Sequence, residues 1–425
     1  MIRIIDLRKG EKPPEPAKAA LDEGVMKGAS DILTRVRSEG DAALVALTKE
    51  FDGADILGRI AVTEDEFDRA AEEIEPALRD AIDAMAVRLR DLHARQLPES
   101  WTAETDGVTF GEIVKPVRAA GCYVPGGRAS YPSTVLMTAI PARVAGVEHV
   151  VITTPCDASG SLPAPVLYAA QVARADALFR IGGAQAIGAL AYGTETVEPV
   201  DMIVGPGNIW VTAAKRIVST HVGIDSLAGP TELVVVADGT ADPAVLAVDL
   251  LAQAEHDPEA RSTLIALDDT LPGAVTEHLQ TEVADSPRRE IVEAALKYAV
   301  IVIAADETQA ADVVDRLAPE HLQVVTADSR AFLDRVRSYG AAFLGPDTPV
   351  PFGDYGVGSN HVLPTMGTAR FSSGLRAADF VTVSSVVEAS PEAVTEVGRQ
   401  IEVIAEAEGL TGHARTNRVR REVSD

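Results

Sequence analysis

The spacing of apolar residues changes about a quarter of the way along the chain. Up to about residue 100 they recur every three or four positions, most clearly in TEDEFDRAAEEIEPALRDAIDAMAVRLRDL, residues 63–92. This stretch opens with a capping-box pattern at Thr63 and Glu66. Its apolar stripe consists of Ile74, Leu78, Ile82, Met85, Leu89 and Leu92. The pattern predicts one amphipathic helix whose stripe packs into a core.

From about residue 110, short apolar runs alternate with segments of helical pattern. The runs are HVVITT, ALFRI, DMIV, ELVVVAD, STLIAL, AVIVIA, LQVV and AAFL. Strands separated by helix-length segments indicate βα units and a parallel sheet. Because there are more strands than one small sheet needs, we expect two α/β domains.

Two glycine-containing turns, FRIGGAQAIGAL and IVGPGNIWVTAAK, each join a predicted strand to a predicted helix. Glycines there let backbone N–H groups approach an anion at the N-terminus of the helix. Neither turn completes the dinucleotide-binding signature G-x-G-x-x-G, because Trp210 stands where the third glycine of the second turn is needed. From turn chemistry alone, cofactor binding and tight turns without a ligand are equally good explanations.

Two segments near the C-terminus point to function. Residues 345–364, GPDTPVPFGDYGVGSNHVLP, are too rich in glycine and proline for a helix or strand, and they carry Asp354, Asn360 and His361. Further on, Ser390 caps a predicted helix that ends at Gly409 and is followed by a basic tail. This last module is too small for its own core, so its apolar face must dock, and a partner subunit is one candidate.

Gln253 and His256 are three residues apart in DPAVLAVDLLAQAEHDPEA, at the last turn of a predicted helix. An amide oxygen and an imidazole on one face can bind a divalent metal, zinc above all. The alternative is a histidine that only caps the helix C-terminus. Asp354 and His413 would complete a set of two nitrogen and two oxygen ligands, although each of the four residues could equally be an isolated polar group.

In RLAPEHLQVV the ionisable pair Glu320 and His321 stands where a helical pattern gives way to a strand. The imidazole can act as a base near neutral pH, and the carboxylate can orient it or activate a water. Neighbouring side chains of an extended segment point in opposite directions, which favours two separate roles. The alternative is a loop with polar residues only. Glu408, a carboxylate at the end of a helix, is disfavoured there and lies five residues before His413.

Composition narrows the class of protein. A net charge of −26 opposes binding to nucleic acid. The N-terminus lacks the apolar core of a signal peptide, and no run is long enough to span a membrane. The two cysteines, Cys122 and Cys156, are not at metal-ligand spacing. We therefore expect a soluble cytoplasmic protein without disulfides, in which neither cysteine is catalytic.

Several of these motifs together resemble the histidinol dehydrogenase family. The resemblance is carried by LAQAEHDPEA, LAPEHLQ, GDYGVGSNHVLPT, LTGHA, YVPGG, IGGAQAIGALAYGTE, VDMIVGPGN and AGPTE, and it runs from near residue 25 to the end. It implies an α/β fold of two incomplete Rossmann-like domains, similar to aldehyde dehydrogenases. It also implies a helical N-terminal segment and a small C-terminal helical tail that is swapped in a homodimer.

The resemblance also implies domain bounds. Residues 1–22 would be an N-terminal extension. Residues 23–122 together with 232–375 would form the first α/β domain, with the metal and catalytic residues. Residues 123–231 would be an inserted NAD-binding domain, and residues 376–425 a helical tail that contributes to the partner's active site.

By the same resemblance, the activity is zinc-dependent oxidation of L-histidinol to L-histidine through L-histidinal, with two NAD⁺ and one zinc per subunit. Each implied role falls on residues of this chain that match the family's motifs. The catalytic pair is Glu320 and His321. The zinc ligands are Gln253, His256, Asp354 and, from the partner subunit, His413. Substrate contacts come from these four ligands, His321, Thr231, His361 and Glu408. The NAD contacts are Tyr123, Gln185 and Asn208.

In the implied mechanism His321 accepts the hydroxyl proton during the first oxidation and assists the second. Glu320 activates the water that adds to the aldehyde. Three alternatives are a dehydrogenase of the same fold acting on another small alcohol such as a dihydroxypropanesulfonate, a zinc metallohydrolase, and a metal-binding scaffold without catalysis.

Overall fold

The structure is a computed structural model, and it describes residues 2–17, 21–126 and 130–424. The strands are β1 (Arg3–Asp6), β2 (Trp101–Thr105), β3 (Val108–Pro116), β4 (Ala119–Tyr123), β5 (His149–Thr153), β6 (Ala177–Phe179), β7 (Met202–Val204), β8 (Gly223–Ile224), β9 (Glu232–Ala237), β10 (Arg261–Ala266), β11 (Val300–Ile303), β12 (His321–Val325), β13 (Ala341–Leu344) and β14 (Val381–Ala389).

The helices are α1 (Glu23–Glu39), α2 (Asp41–Phe51), α3 (Glu64–Glu73), α4 (Pro76–Ala94), α5 (Pro132–Val144), α6 (Ala164–Val172), α7 (Gly183–Tyr192), α8 (Ile209–Val218), α9 (Pro243–Ala254), α10 (Leu271–Asp285), α11 (Arg289–Ala295), α12 (Glu307–Leu317), α13 (Ser329–Leu333), α14 (Pro351–Asp354), α15 (Pro391–Ala407) and α16 (Thr411–Ser424). Within the described ranges, none of them combines the length and apolar character needed to cross a lipid bilayer.

The chain divides into two compact units. The first unit comprises Met1–Arg95 and Arg118–Phe380, and the second comprises Gln96–Val117 and Val381–Asp425. The four-part division implied by the resemblance remains a prediction. Among other differences, it places residues 96–117 in the first α/β domain, whereas the compact units group them with β14, which pairs with β3.

The first unit contains a six-stranded parallel sheet, called here the large sheet, in the order β1-β11-β10-β9-β12-β13. Its central strands β9, β10 and β12 are buried along nearly all of their length, as expected for a parallel sheet covered on both faces. Two core clusters flank it, one including Leu250 and Phe343 and the other Val314 and Phe332. Strand β1, which the apolar pattern does not predict, forms one edge.

A second parallel sheet of the first unit, called here the small sheet, has the order β6-β5-β4-β7-β8. The chain moves outward from β4 to β6 and then returns to the other side of β4 at β7. This is the Rossmann arrangement, and ligands of such sheets bind at the carboxyl ends of the two strands where the order reverses. The two sheets confirm the predicted α/β class with two Rossmann-like parts.

The second unit is a three-stranded antiparallel sheet, β14-β3-β2, with helices α15 and α16. Ser390 caps α15 as predicted, and its backbone N–H also bonds to the Gly107 carbonyl in the β2–β3 turn. The basic tail is not extended but forms α16, and Arg418 and Arg421 pair with the buried Glu402 of α15. Both helices leave large apolar side chains exposed, including Val403 and Ile404.

Two predicted elements need correction. Residues 63–92 form two helices, α3 and α4, because Ile74 and Glu75 are extended ahead of Pro76 and proline disfavours a helical residue before it. The capping box at Thr63 is confirmed. The glycine- and proline-rich segment 345–364 contains one helical turn, α14, because a proline suits the first position of a helix.

Candidate active site

The candidate catalytic residues lie at the amino-terminal edge of the large sheet. Glu320 immediately precedes β12, and His321 is its first residue. In the neighbouring central strand, Glu232 is the first residue of β9 and Thr231 precedes it. Since β12 and β9 are parallel and adjacent, residues distant in sequence meet at this edge. The predicted placement of Glu320 and His321 where a strand begins is confirmed, and their role in proton transfer remains a prediction.

Glu320 is buried and held by two hydrogen bonds to one carboxylate oxygen. Its Oε2 accepts the Thr231 hydroxyl at 2.6 Å and the Glu232 backbone N–H at 2.8 Å. Burial raises the pKa of Glu320 to about 7, against the lowering effect of these two bonds. A carboxyl that titrates near neutral pH can both accept and release a proton under physiological conditions.

His321 is buried beside Glu320 but is not hydrogen-bonded to it. Its Nδ1 lies 3.2 Å from the Glu232 carbonyl oxygen, and since a carbonyl only accepts, Nδ1 carries the proton. Its Nε2 forms no hydrogen bond with any described residue and lies 3.7 Å from Asp354 Oδ1. Burial lowers the pKa of His321, which keeps the ring neutral and Nε2 available as an acceptor.

The expectation that the two side chains point in opposite directions was wrong. His321 Nδ1 and Glu320 Oε2 are 3.6 Å apart, because Glu320 lies in a bend before the strand and both side chains turn towards the peptide groups of Glu232. Each makes its own bond there, so the two groups do not form a relay. The inference of two separate roles therefore rests on these bonds and not on strand alternation.

Gln253 lies in the last turn of α9, buried against the same cluster. Its Nε2 donates to the Thr231 hydroxyl oxygen at 2.8 Å. Because that hydroxyl already donates its proton to Glu320, it can only accept from Gln253, and this fixes the orientation of the amide. The amide oxygen, the atom suited to a metal, is thereby left free of this bond.

His256 was expected within the last turn of α9, but the helix ends at Ala254 and His256 follows it in a turn organised by Asp257. Its imidazole is exposed, yet its charge acts on the pKa values of Glu320, His321 and His361. Asp354, the last residue of α14, also acts on Glu320 and His321. The fold thus brings His256 and Asp354 within electrostatic reach of the pair.

Across the described residues, no group of three or more His, Cys, Asp and Glu side chains is arranged to hold a metal ion. The set formed by Gln253, His256 and Asp354 contains only two such residues and an amide. Nitrogen and oxygen donors of these types fit zinc. That these three residues hold zinc, with a fourth ligand from a partner subunit, remains a prediction.

His361 is fixed by both of its ring nitrogens. Nδ1 lies 3.0 Å from the Asp354 backbone carbonyl, and Nε2 lies 3.1 Å from the Thr134 hydroxyl at the start of α5. Burial lowers the pKa of His361 to about 4, so the ring is neutral. The preceding Asn360 donates to the Met137 carbonyl and accepts the Val362 N–H. These bonds anchor the loop that carries Asp354.

Glu408 and His413 belong to the second unit. Glu408 is the C-terminal cap of α15, as its position before Gly409 predicts, and it is exposed. His413 lies in the first turn of α16 and is also exposed. Their roles beside a substrate or metal remain predictions.

The candidate cofactor residues border the carboxyl edge of the small sheet. Tyr123 ends β4, and its hydroxyl accepts the Gly183 N–H at the start of α7. Gln185, in α7, has a buried Oε1 that bonds to no described residue. Asn208 caps α8 through Oδ1, which leaves its amide nitrogen available. The last glycine of the YVPGG motif, Gly127, lies outside the described residues.

Two residues at the large-sheet site gave no functional signal in the sequence. The Glu232 N–H bonds to Glu320, and the Glu232 carbonyl bonds to His321 Nδ1. Burial, together with the charge of Glu320, raises the pKa of the Glu232 side chain to about 8. Thr134 binds His361 from a helix 227 residues away in sequence. For Glu232, the motif AGPTE was the one sequence signal that could have indicated a place in the site, and Thr134 lies in none of the quoted motifs.

Both cysteines are buried free thiols. Burial raises the pKa of Cys122 to about 12 and also raises that of Cys156. A buried thiol with a raised pKa is a poor nucleophile, in keeping with the prediction that neither is catalytic.

Comparison with known proteins identifies the family of this chain. The family model described as histidinol dehydrogenase matches residues 16–421. The histidinol dehydrogenase of Geobacillus kaustophilus is 49% identical over 394 residues, which cover 92% of this chain and 93% of that protein. The one from Methanothermobacter thermautotrophicus is 43% identical over 421 residues, covering 99% and 98%.

A solved structure is also similar along nearly its whole length. The crystal structure of histidinol dehydrogenase from Elizabethkingia anophelis has a TM-score of 0.93 and 33% sequence identity, and the match covers 99% of this chain and 98% of that chain. Family model, sequence relatives and structure agree over almost all of the chain. The chain therefore belongs to the histidinol dehydrogenase family.

Proposed function

We propose that this chain oxidises L-histidinol to L-histidine through L-histidinal with two NAD⁺, the last steps of histidine biosynthesis. Family membership supports the substrate and the reaction. The observation that carries the chemistry is the buried set of hydrogen bonds running from Gln253 through Thr231 to Glu320, beside His321 with its unbonded Nε2. It combines a free base and a carboxyl of near-neutral pKa in one site.

His321 is the base of the first oxidation. The Glu232 carbonyl holds the proton on Nδ1, so Nε2 is the atom that takes the substrate's hydroxyl proton. The lowered pKa keeps Nε2 unprotonated before the reaction. After losing that proton, the same nitrogen takes a second one when the hydrated aldehyde is oxidised.

Glu320 is the base that activates water for addition to the aldehyde. Thr231 and Glu232 hold Oε2, and Oε1 makes neither of those bonds. The carboxylate can therefore take a proton from water through Oε1 without breaking its own supports. Its pKa near 7 makes both proton uptake and release accessible at neutral pH.

Gln253, His256 and Asp354 are the residues of this chain that would hold zinc, through one amide oxygen, one imidazole nitrogen and one carboxylate oxygen. When bound, zinc would fix the imidazole and amine of the substrate, so that its carbinol lies beside His321. The Thr231 hydroxyl orients the Gln253 amide for this role. His361 fixes the backbone of Asp354 and, with Thr231, borders the substrate, which Glu408 of the other chain would also contact.

Tyr123, Gln185 and Asn208 would bind NAD⁺ at the switch point of the small sheet. When bound, NAD⁺ accepts the hydride of each oxidation. Two atoms support this role: Gln185 Oε1, which bonds to no described residue, and the Asn208 amide nitrogen, which the helix cap does not use.

The active form is a homodimer in which His413 of one chain completes the zinc ligands of the other. The exposed apolar side chains of the second unit, such as Val403 and Ile404, support an interface. A biosynthetic role and two free thiols support a place in the cytoplasm.

The test is NADH formation by the zinc-loaded chain with histidinol as the only alcohol. We expect two NADH per histidinol consumed, with histidine as product. H321A should form neither NADH nor histidine. NADH formed only from another small alcohol would replace the proposed substrate. Hydrolysis independent of NAD⁺ would replace the reaction class.

A further inference from the structure

Lys215 and Asp225 form a buried ion pair beneath the small sheet. Lys215 belongs to α8 and Asp225 follows β8, and their side chains are only 2% and 4% exposed. A buried pair of this kind commonly stabilises a fold no better than apolar residues of equal size would. Because stability alone does not explain the pair, the groups to which the two charges bond indicate its role.

Both charges act on the backbone of one residue, Gly205. Asp225 Oδ2 accepts the Gly205 N–H at 2.7 Å, and Lys215 Nζ donates to the Gly205 carbonyl at 3.0 Å. Asp225 Oδ1 bonds to Lys215 and also accepts the Ser226 N–H at 2.6 Å. The orientation of both peptide groups of Gly205 is thus fixed by charge-assisted hydrogen bonds.

Gly205 occupies a position that no other residue could take. Its φ is +113°, and a Cβ there would lie 2.1 Å from the Tyr123 carbonyl oxygen. It follows β7 directly, and β7 pairs with β4, so Gly205 lies at the switch point where a dinucleotide is expected. Three residues later Asn208 caps α8. The fixed peptide thus lies between two of the candidate cofactor residues.

We propose that Lys215 and Asp225 are positioning residues for the cofactor, and that their clamp on Gly205 holds the GPGN turn so that Tyr123 and Asn208 bind NAD⁺. The proposal rests on the function proposed above and extends it to two residues outside the binding contacts. The hydrogen bonds of the two charged groups go to each other, to Gly205 and to Ser226. Their effect passes through the backbone of the turn, so it should appear in cofactor affinity and not in the chemical steps.

The experiment uses the full-length, zinc-loaded enzyme with D225N and K215M. NADH binding is followed by fluorescence titration, and KM for NAD⁺ and histidinol and kcat are measured separately. We expect the Kd of NADH and the KM of NAD⁺ to rise about tenfold or more, the loss typical of a charge-assisted hydrogen bond. The value of kcat at saturating NAD⁺ should change less than about threefold. The double variant should lose little more than either single variant.

Asp176 provides a matched control at the opposite edge of the same sheet. Its carboxylate accepts the Val150 N–H at 2.7 Å and pairs with the partly exposed Arg143, so D176N removes a carboxylate that lies just before β6, at the amino edge of the sheet, and holds a backbone N–H there. D176N should bind NADH like the wild type. If D225N does not fold, as judged by thermal melting, K215Q removes the charge while Asp225 keeps its bond to Gly205.

Three results would contradict the proposed role of Lys215 and Asp225. The first is wild-type NADH affinity in folded D225N and K215M. The second is an equal loss of NADH affinity in D176N, and the third is a decrease in kcat without a change in NADH affinity. If the wild-type chain binds NADH but does not oxidise histidinol, the substrate assignment fails while the clamp can still be tested. If it binds no NADH at all, both proposals fail.

Discussion

Replacing Glu320 by glutamine should make the folded chain less sensitive to rising pH. The carboxyl is buried and its pKa is raised from 4.5 to about 7. An acid whose pKa is higher in the folded state stabilises that state most below pH 4.5 and loses this contribution as pH rises through 7. The shift corresponds to about 3 kcal/mol of unfolding free energy lost between pH 4.5 and 8. Glutamine carries no charge at any of these pH values.

The difference in unfolding free energy between E320Q and the wild type should therefore move by about 3 kcal/mol in favour of E320Q over that range. Glu232 adds to this with the same sign, because the charge of Glu320 helps to raise its pKa and glutamine removes that charge. The assay is urea unfolding of the metal-free proteins at several pH values. Metal must be absent, because a bound ion would stabilise the two chains differently.

A matched control is E198Q, at an exposed glutamate of the first unit. E198Q removes one carboxyl group from the surface, so a pH-dependent difference as large as that of E320Q would show that loss of a charge, and not burial, is responsible. If the E320Q and wild-type curves stay parallel within about 1 kcal/mol, Glu320 is not held in the desolvated site described here.

The roles proposed for other side chains can be separated by substitution and truncation. H321A should lower the rates of both oxidations by about a hundredfold or more, whereas E320Q should slow only the step from aldehyde to acid. Assays started from histidinol and from histidinal measure the two steps separately. Equal losses of both rates in E320Q would contradict this division. T231V should weaken zinc binding about tenfold, because the Gln253 amide loses the group that orients it, while T231S keeps the hydroxyl; chelator competition measures both. Truncation after Gly409 should remove bound zinc and weaken the dimer, as measured by metal analysis and sedimentation, and a truncated chain that keeps one tightly bound zinc would refute the placement of His413.

Most strands of the two parallel sheets were predicted, because strands buried on both faces form continuous apolar runs, but β1, β4 and β8 were missed. ELVVVAD and LQVV became β9 and β12 for this reason. The strands of the second unit gave no such signal. Every residue of β2 is exposed and β14 is nearly so, and a sheet without a buried face has no apolar alternation to detect.

The candidate site was predictable only where its chemistry is local. A carboxylate and an imidazole side by side at Glu320 and His321 are unusual enough to be noticed. The contribution of Glu232 depends on a strand pairing 88 residues away in sequence, and no local pattern reveals that its peptide groups orient both side chains. The predicted helix around His256 was too long, since α9 ends at Ala254, two residues earlier. The end of a helix depends on capping bonds, which the spacing of apolar residues does not determine.

Residues 225–231 connect the carboxyl edge of the small sheet to the amino edge of the large sheet. At its start Asp225 holds Gly205 at the carboxyl edge of the small sheet, and at its end Thr231 holds Glu320 at the amino edge of the large sheet. Six peptide steps reach at most about 22 Å, so the cofactor turn and the catalytic pair cannot lie farther apart than this plus two side-chain contacts. Between these ends, the Thr212 hydroxyl donates to the Ala228 carbonyl and the Gly229 N–H donates to the Thr365 hydroxyl. Because the segment is tied at both ends and in the middle, one short and well-anchored stretch of backbone links the GPGN turn to Glu320.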